Sequence, residues 1–411
     1  MNFLGWVDYD ETYERAARNA VASLRGRDAR EELGIGGLRD TLADLFFPGT
    51  STIQRRLRYF LFVAWCCECA LRDRGRRSAL SSLRINEEKL IQALTPLGEG
   101  EGVIGLQRGS DLVTMPSAIY WSGLRILDIL TIRGSIARWA RLGEEGRRSD
   151  EAPREDARRG ARVPGFSEDL PPMPKDFPEI EGLTFQLTAN EREYLRRRLA
   201  NAVVATDGWG LEHNLFAHFG GETVPMGARF PWQHPKVATL HAKTRWLLDF
   251  AAALSVVMYG ATLLYNYLLC VRRKADGAAD AESHTARYVN LLTRWAPAVT
   301  PGQCELVATG VLEVARLAPR LRHGVDQSMI VFVTSWAKFA RTPAKILTNK
   351  DAHALVIARE ISLKARLGTS RFANKAARAR WKYESGGRLD YRWSIARTYL
   401  NDMAPRTHAG A

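Results

Sequence analysis

Nothing in this sequence names a reaction. Gly34, Gly36 and Gly37 free the backbone, but no Gly-Lys-Ser or Gly-Lys-Thr follows them and no clear strand precedes them, so they do not read as a phosphate cradle. His213, His218 and His234 fall in a loop-rich stretch with Trp209 and Trp232. His213 and His218 are five residues apart, not four, and no Glu stands between them as in a helical zinc pair. Surface or hydrogen-bonded core histidines are the expectation. No carboxylate–Lys constellation of a metal-dependent nuclease is visible; Glu360 and Lys364, four apart on a helix, make an intrahelical ion pair. Cysteine is scarce and odd in number: Cys66, Cys67, Cys69, Cys270 and Cys304. That argues against a disulfide scaffold and for a reducing interior. Adjacent helical positions point about 100° apart, so Cys66, Cys67 and Cys69 cannot converge on a metal by themselves. They are expected as small buried apolar residues. No metal and no cofactor is expected. No signal peptide opens the chain, because Met1–Trp6 runs straight into charged sequence, and the expected location is cytoplasmic.

What the chain does have is basic charge. The 411 residues allow two or three domains or one elaborated core, and 46% apolar with 25% charged is ordinary for a globular protein. The net charge of +14 is not ordinary and favours a polyanionic partner, nucleic acid or an acidic membrane surface. It is also concentrated: residues 341–397 hold fourteen Lys/Arg against four Asp/Glu.

The pattern elsewhere is helical. Leu38, Leu42, Leu45 and Phe46 recur at three- and four-residue spacing, and Pro48-Gly49 stops that helix. Thr50, Ser51 or Thr52 then caps a second helix from Ile53, with Leu57, Phe60 and Leu61 inward and Arg55, Arg56 and Arg58 outward. Helix, short turn and capped helix, with Gln54, Arg55 and Arg58 near its start, is the layout of a DNA-reading helix-turn-helix; an ordinary helical hairpin with solvated arginines fits too.

Taken in order, Phe3–Val7 reads as a short strand or arm, followed by a helix capped by Asp8 or Asp10 through about Leu24. Further helices are expected at Asn86–Leu94, Ala118–Ile129 and Ile132–Leu142. Residues 143–164 are too polar to offset their ordering entropy and read as a disordered loop, continued as an extended strap by Pro171, Pro172, Pro174 and Pro178. Helix restarts at Leu187–Glu191 with a good cap. Residues 291–321 are helical with breaks at Pro297, Pro301 and Pro319, and Met329–Trp336 is a β-rich or buried helical run. Residues 250–271 carry no charge and are long enough to cross a bilayer, with Arg272-Arg273-Lys274 as a flank. Tyr259, Tyr265, Asn266 and Tyr267 within that run, and its being the single such run, favour a buried central helix over a membrane span.

At the basic end, Arg371, Lys375, Arg378 and Lys382 fall at spacings of four, three and four, one helical stripe. Leu355–Leu367 is the helix before it, so this too has a helix–turn–helix outline. Leu389, Tyr391 and Trp393 alternate with Arg388, Asp390 and Arg392, a strand period. Basic helix and basic strand would grip phosphates through Lys364, Arg371, Lys375, Arg378, Lys382, Arg388 and Arg392, with Tyr391 or Trp381 available to stack. The competing reading is a solvated basic face.

Several strings resemble an uncharacterised bacterial family of unknown function: Leu4-Gly5-Trp6-Val7-Asp8, Leu33-Gly34-Ile35-Gly36, Phe47-Pro48-Gly49-Thr50-Ser51-Thr52-Ile53-Gln54, Arg58-Tyr59-Phe60-Leu61-Phe62, Leu183-Thr184-Phe185, Leu263-Leu264-Tyr265-Asn266 and Arg388-Leu389-Asp390-Tyr391-Arg392-Trp393. The resemblance spans nearly the whole chain. It implies a place beside helicase and phospholipase-D-like genes in bacterial defence neighbourhoods; it carries no activity and no functional residue.

The expected protein is mainly α, multi-helical around a buried apolar helix, with helix-turn-helix-like units and few short strands. Its expected regions are a helical part at 1–142, a charged and Pro-rich linker or loop at 143–180, a central helical part at 181–340 and a basic part at 341–411. The expected function is non-enzymatic: a nucleic-acid-binding or scaffold subunit, DNA ahead of RNA, inside a multi-protein anti-phage defence complex. The alternatives are a nuclease or other hydrolase and a single-span membrane-associated component.

Overall fold

A computed structural model describes residues 33–73, 77–98, 101–105, 114–150 (side chains to 146), 165–203, 214–318, 324–364, 368–383 and 386–404. The expected arm at Phe3–Val7, the helix before Leu24, residues 151–164 of the charged stretch, and Trp209 and His213 lie outside them. The described residues hold fourteen α-helices and no strand, the mainly α architecture that the spacing implies. In chain order these are α1 Gly36–Phe46, α2 Tyr59–Arg72, α3 Ala79–Leu94, α4 Pro116–Ile126, α5 Ile136–Asp150, α6 Ala189–Ala200, α7 Leu215–Phe219, α8 Ala242–Ala275, α9 Ala281–Trp295, α10 Pro301–Leu317, α11 Gln327–Ala340, α12 Lys350–Lys364, α13 Lys375–Ala379 and α14 Trp393–Met403. An isolated antiparallel bridge joins Leu130 and Phe166.

The helices belong to two compact units that interleave along the chain. The first is Met1–Ala43 with Leu240–Tyr391, and the second is Asp44–Thr239 with Arg392–Ala411.

The first unit is built around α8. No Asp, Glu, Lys or Arg occurs in this helix between Asp249 and Arg272. A helix apolar on all sides has to be enclosed. Its most apolar window is 83% buried, with α9, α10, α11, α12 and α13 packed on it. The expected buried central helix is therefore present, although α8 is also long and apolar enough to cross a membrane.

Side chains pin α8 through its own carbonyls. The Trp295 indole donates to Val256 O at 2.8 Å, Trp336 to Val257 O at 2.8 Å, and the Tyr391 hydroxyl to Ala251 O at 2.8 Å. A helical carbonyl keeps a second lone pair for such a donor. Gly260 makes room for the Trp295 ring: a Cβ there would stand 2.1 Å from Trp295 Cζ2. Gly260→Ala is expected to lower stability by about 2 kcal/mol through overpacking, read as a shifted denaturation midpoint. An unshifted midpoint would show that Trp295 has room to move.

Within the same unit Arg359 of α12 is buried. It donates Nε to Leu33 O at 3.0 Å, and one terminal nitrogen to the Ser328 hydroxyl at 2.7 Å. Its guanidinium also lies 5.4 Å from the centre of the Phe332 ring. An early loop and the start of α11 are thereby fixed to α12. Met329–Trp336 belongs to α11 and is helical, with Asp326 as its cap.

The second unit is built around α2, of whose 14 residues eleven are buried. α3, α4 and α5 pack on it. Cys66 and Cys67 are fully buried there and Cys69 partly so. Burial pushes the Cys69 thiol up to about 11 and the other two well above the ordinary range, so these thiols behave as apolar side chains. α6 starts with the expected cap: Thr188 and Glu191 form a reciprocal capping box.

Two helices and one expected strand illustrate departures from the expected bounds. α3 begins at Ala79, because Ser78 caps it by accepting from Ser81 N. α5 continues through 143–150, part of the stretch expected to be disordered. Tertiary contact decides this: Gly143 lies against Leu71, and the Glu144 carboxylate accepts from Ala79 N at 2.7 Å. Near the C-terminus no strand forms at 389–393. Tyr391 and Arg392 have φ of 53° and 64°, left-handed backbone that ends any extended run just before α14.

Candidate nucleic-acid interface

The connection between α1 and α2 carries three of the sequence-derived contact residues, and its hydrogen bonds are internal. Gly49 has φ of +77°, which allows the chain to turn. Thr50 closes that turn by donating its hydroxyl to Phe47 O at 2.6 Å. Gln54 is 1% exposed; its amide donates to Gly49 O at 3.0 Å and its carbonyl accepts from Ser51 N at 2.9 Å and from the Tyr399 hydroxyl at 3.0 Å. Arg56 forks onto the Asp402 carboxylate, which also accepts from Leu57 N at 3.0 Å. The Tyr120 hydroxyl accepts from Arg55 N at 2.8 Å and donates to Arg56 O at 2.9 Å.

These partners hold residues 50–58 as a turn, so α2 starts at Tyr59 and not at Ile53. Gln54, Arg55 and Arg58 precede the helix instead of lining its first turns. Arg58 is buried and pairs with Glu191 at 2.8 Å while donating to Thr184 O at 2.7 Å. Of the three, Arg55 alone is exposed.

The C-terminal stripe is divided in the same way. Asn374 caps α13 by accepting from Ala377 N at 3.1 Å, so a new five-residue helix begins at Lys375 and Arg371 lies outside it. Arg378 is buried: Nε donates to Asp276 at 2.6 Å and a terminal nitrogen to Arg371 O at 2.6 Å. The bond from Arg378 holds the Asp276 carboxyl below the usual carboxylate range. Arg371 donates to the Tyr265 hydroxyl at 3.0 Å. Glu360, fully buried, accepts from the Ser370 hydroxyl at 2.6 Å and Arg371 N at 2.7 Å, with Lys364 at 3.8 Å as the expected intrahelical partner. Arg388 is half-buried, and loss of water holds its pKa below the ordinary arginine value. Arg392, in the second unit, pairs with Asp44 and donates to Thr50 O at 2.8 Å. Lys375 and Lys382 are exposed. Trp381 and Tyr391, expected to be free to stack, are 6% and 0% exposed.

What the first unit does bring together is the end of α8 and residues 375–383. Arg273 donates to Trp381 O at 2.8 Å and lies 4.5 Å from the centre of the Tyr383 ring. The Tyr383 hydroxyl donates to Asp280 at 2.7 Å. Arg378 on Asp276 completes the clamp. Arg272, Lys274, Arg380, Lys375 and Lys382 are left exposed around it. Arg272 and Lys375 both act electrostatically on Asp276, so the two segments share one field. Among the described residues of this corner, seven cations (272, 273, 274, 375, 378, 380 and 382) face three carboxylates, Asp276, Asp280 and Glu282. Arg272-Arg273-Lys274 was not among the contact residues drawn from sequence. Its signal, a basic triplet closing an apolar run, reads equally as a membrane flank.

Among the described residues, no three His, Cys, Asp or Glu side chains are grouped to hold a metal ion. His234 is a core residue: its ring stacks on Phe219 at 4.0 Å, and its Nδ1 accepts from Lys236 N at 3.2 Å. Burial lowers its pKa to about 4, leaving the ring neutral near pH 7.

No curated protein and no solved structure matches the chain. A family model matches residues 1–407. The strings noted in the sequence, from the Gly49–Gln54 turn to Arg388–Trp393, fall within that span. The protein accordingly belongs to a family of unknown function, DUF6361.

Proposed function

We propose that this protein is a non-enzymatic nucleic-acid-binding or scaffold subunit of a bacterial multi-protein assembly of the anti-phage defence kind, contacting DNA ahead of RNA. The observation that carries the reading is the corner where residues 375–383 fold along the end of α8. Five exposed cations there, Arg272, Lys274, Lys375, Arg380 and Lys382, belong to two segments a hundred residues apart in sequence. Lys274 pairs with Glu282; no ion pair involves Lys375, Arg380 or Lys382 among the described residues. A locally positive surface raises the concentration of a polyanion and contacts its phosphates with the release of bound counterions.

The test is anisotropy of labelled duplex DNA with the full chain across salt. With about four phosphates contacted, the log–log salt slope is expected near −4. The variant Lys375→Glu/Arg380→Glu/Lys382→Glu should bind more weakly and flatten the slope by about 3, while its melting temperature stays that of the parent because the three side chains are exposed. Equal affinity in the variant would overturn the reading. Arg371 and Arg378 are unsuitable for this test, since their bonds to Tyr265 and Asp276 hold the segment in place. Co-purification from the native host, with and without nuclease treatment, tests the assembly: partners should be retained with the chain.

A further inference from the structure

Resting on that reading, we infer that the nucleic acid taken by the α8–α13 corner is a double helix held by its phosphates, without readout of base identity. Single strands are gripped by stacking bases on exposed aromatic rings. Here the aromatic side chains of the segment are buried and occupied. Tyr383 is sandwiched between His284, at 3.8 Å, and the Arg273 guanidinium. Trp381 packs on Tyr383 at 5.0 Å, and Phe372 meets Tyr265 edge-on at 5.6 Å. Tyr391 donates its hydroxyl to the α8 backbone.

Two of the side chains suited to bidentate base reading, Arg378 and Asn374, are also committed, which leaves Arg272 and Arg380 as the exposed guanidinium forks. Base edges are read by Arg, Asn and Gln in fixed fork geometries. Arg378 has its fork on Asp276 and two backbone carbonyls, those of Arg371 and Phe372. Asn374 spends its carbonyl on the α13 cap and its amide on Gly368 O at 2.9 Å. Three of the five exposed cations are lysines, compact charges that meet a phosphate from many directions and specify no base. Such a surface responds to charge density. A duplex presents one charge per ~1.7 Å of axis against ~3.4 Å for one strand, and releases more counterion per contact.

The experiment uses the full chain and five labelled probes of one length: a mixed-sequence duplex, an all-A·T duplex, an all-G·C duplex, and the two separated strands of the first. The three duplexes should bind within about twofold of one another, with salt slopes near −4 against about −3 on the strands, and the strands should bind more weakly. Tighter binding to a strand than to its duplex, or a preference above about tenfold for one duplex composition, overturns the inference while leaving nucleic-acid binding standing. Absence of binding to all five probes overturns both.

Discussion

Arg58→Ala is expected to destabilise the second unit by about 3–5 kcal/mol. Arg58 and Glu191 are 7% and 4% exposed and meet at 2.8 Å. Removing the guanidinium strands a carboxylate away from water, and Thr184 O loses its donor too. The pair itself is not optimally satisfied, since Arg58 Nε is buried with no acceptor. The double variant Arg58→Met/Glu191→Gln removes both charges and keeps a glutamine at the third position of α6, where it can still complete the capping box. It should recover most of the loss, because replacing a buried ion pair by groups of similar volume is close to neutral. Chemical denaturation of the two variants decides the matter. A mild effect of Arg58→Ala, combined with a marked loss of DNA binding in the folded protein, would return Arg58 to the role that its sequence position suggested.

Glu87→Gln should act in the opposite direction and only above acidic pH. Glu87 of α3 is 1% exposed and accepts from both the backbone N–H and the hydroxyl of Ser117, at the start of α4. Burial pushes its carboxyl up from 4.5 to about 7. The folded state therefore holds a proton that the unfolded chain releases. The group's contribution is fully present below about pH 4.5, is lost as pH rises through about 7, and stays lost above that. A glutamine can accept from Ser117 N and donate to its hydroxyl without ever ionising. The variant should match the parent near pH 4.5 and exceed it by about 3 kcal/mol at pH 8, since every tenfold difference in proton affinity between the folded and unfolded states is worth ~1.4 kcal/mol. Parallel stability curves for the two proteins across that range would show that Glu87 does not titrate as described.

The parts of the fold legible in the sequence are those decided within a few residues. The charge-free run in α8 could only be enclosed or span a bilayer. Thr188 three residues before Glu191 announces the start of α6, and Thr300 ahead of Pro301 does the same for α10, which begins at Pro301 as the predicted break requires. The contact residues were less legible because their partners are remote. Gln54 looks like a helix-start residue until Tyr399, 345 positions away, is seen to donate to it. Arg378 fits a solvent-facing stripe until Asp276 is brought to it by the turn after α8. One local signal does mark the division of that stripe: Asn374 is a capping residue, placed to restart the helix in its middle.

The interleaving of the two units bears on how the chain matures. α14 supplies Asp402 to Arg56, Tyr399 to Gln54 and the Trp393 indole to Ala228 O, all inside the second unit. A ribosome will have released residues 44–239 long before those partners exist. During synthesis of the intervening 240–391, the Arg56 guanidinium and the turn at Gln54 await their closing ligands. Nascent chains halted before Trp393 should therefore be the ones most readily captured by chaperones or cut by proteases, and acquire resistance in a single late step.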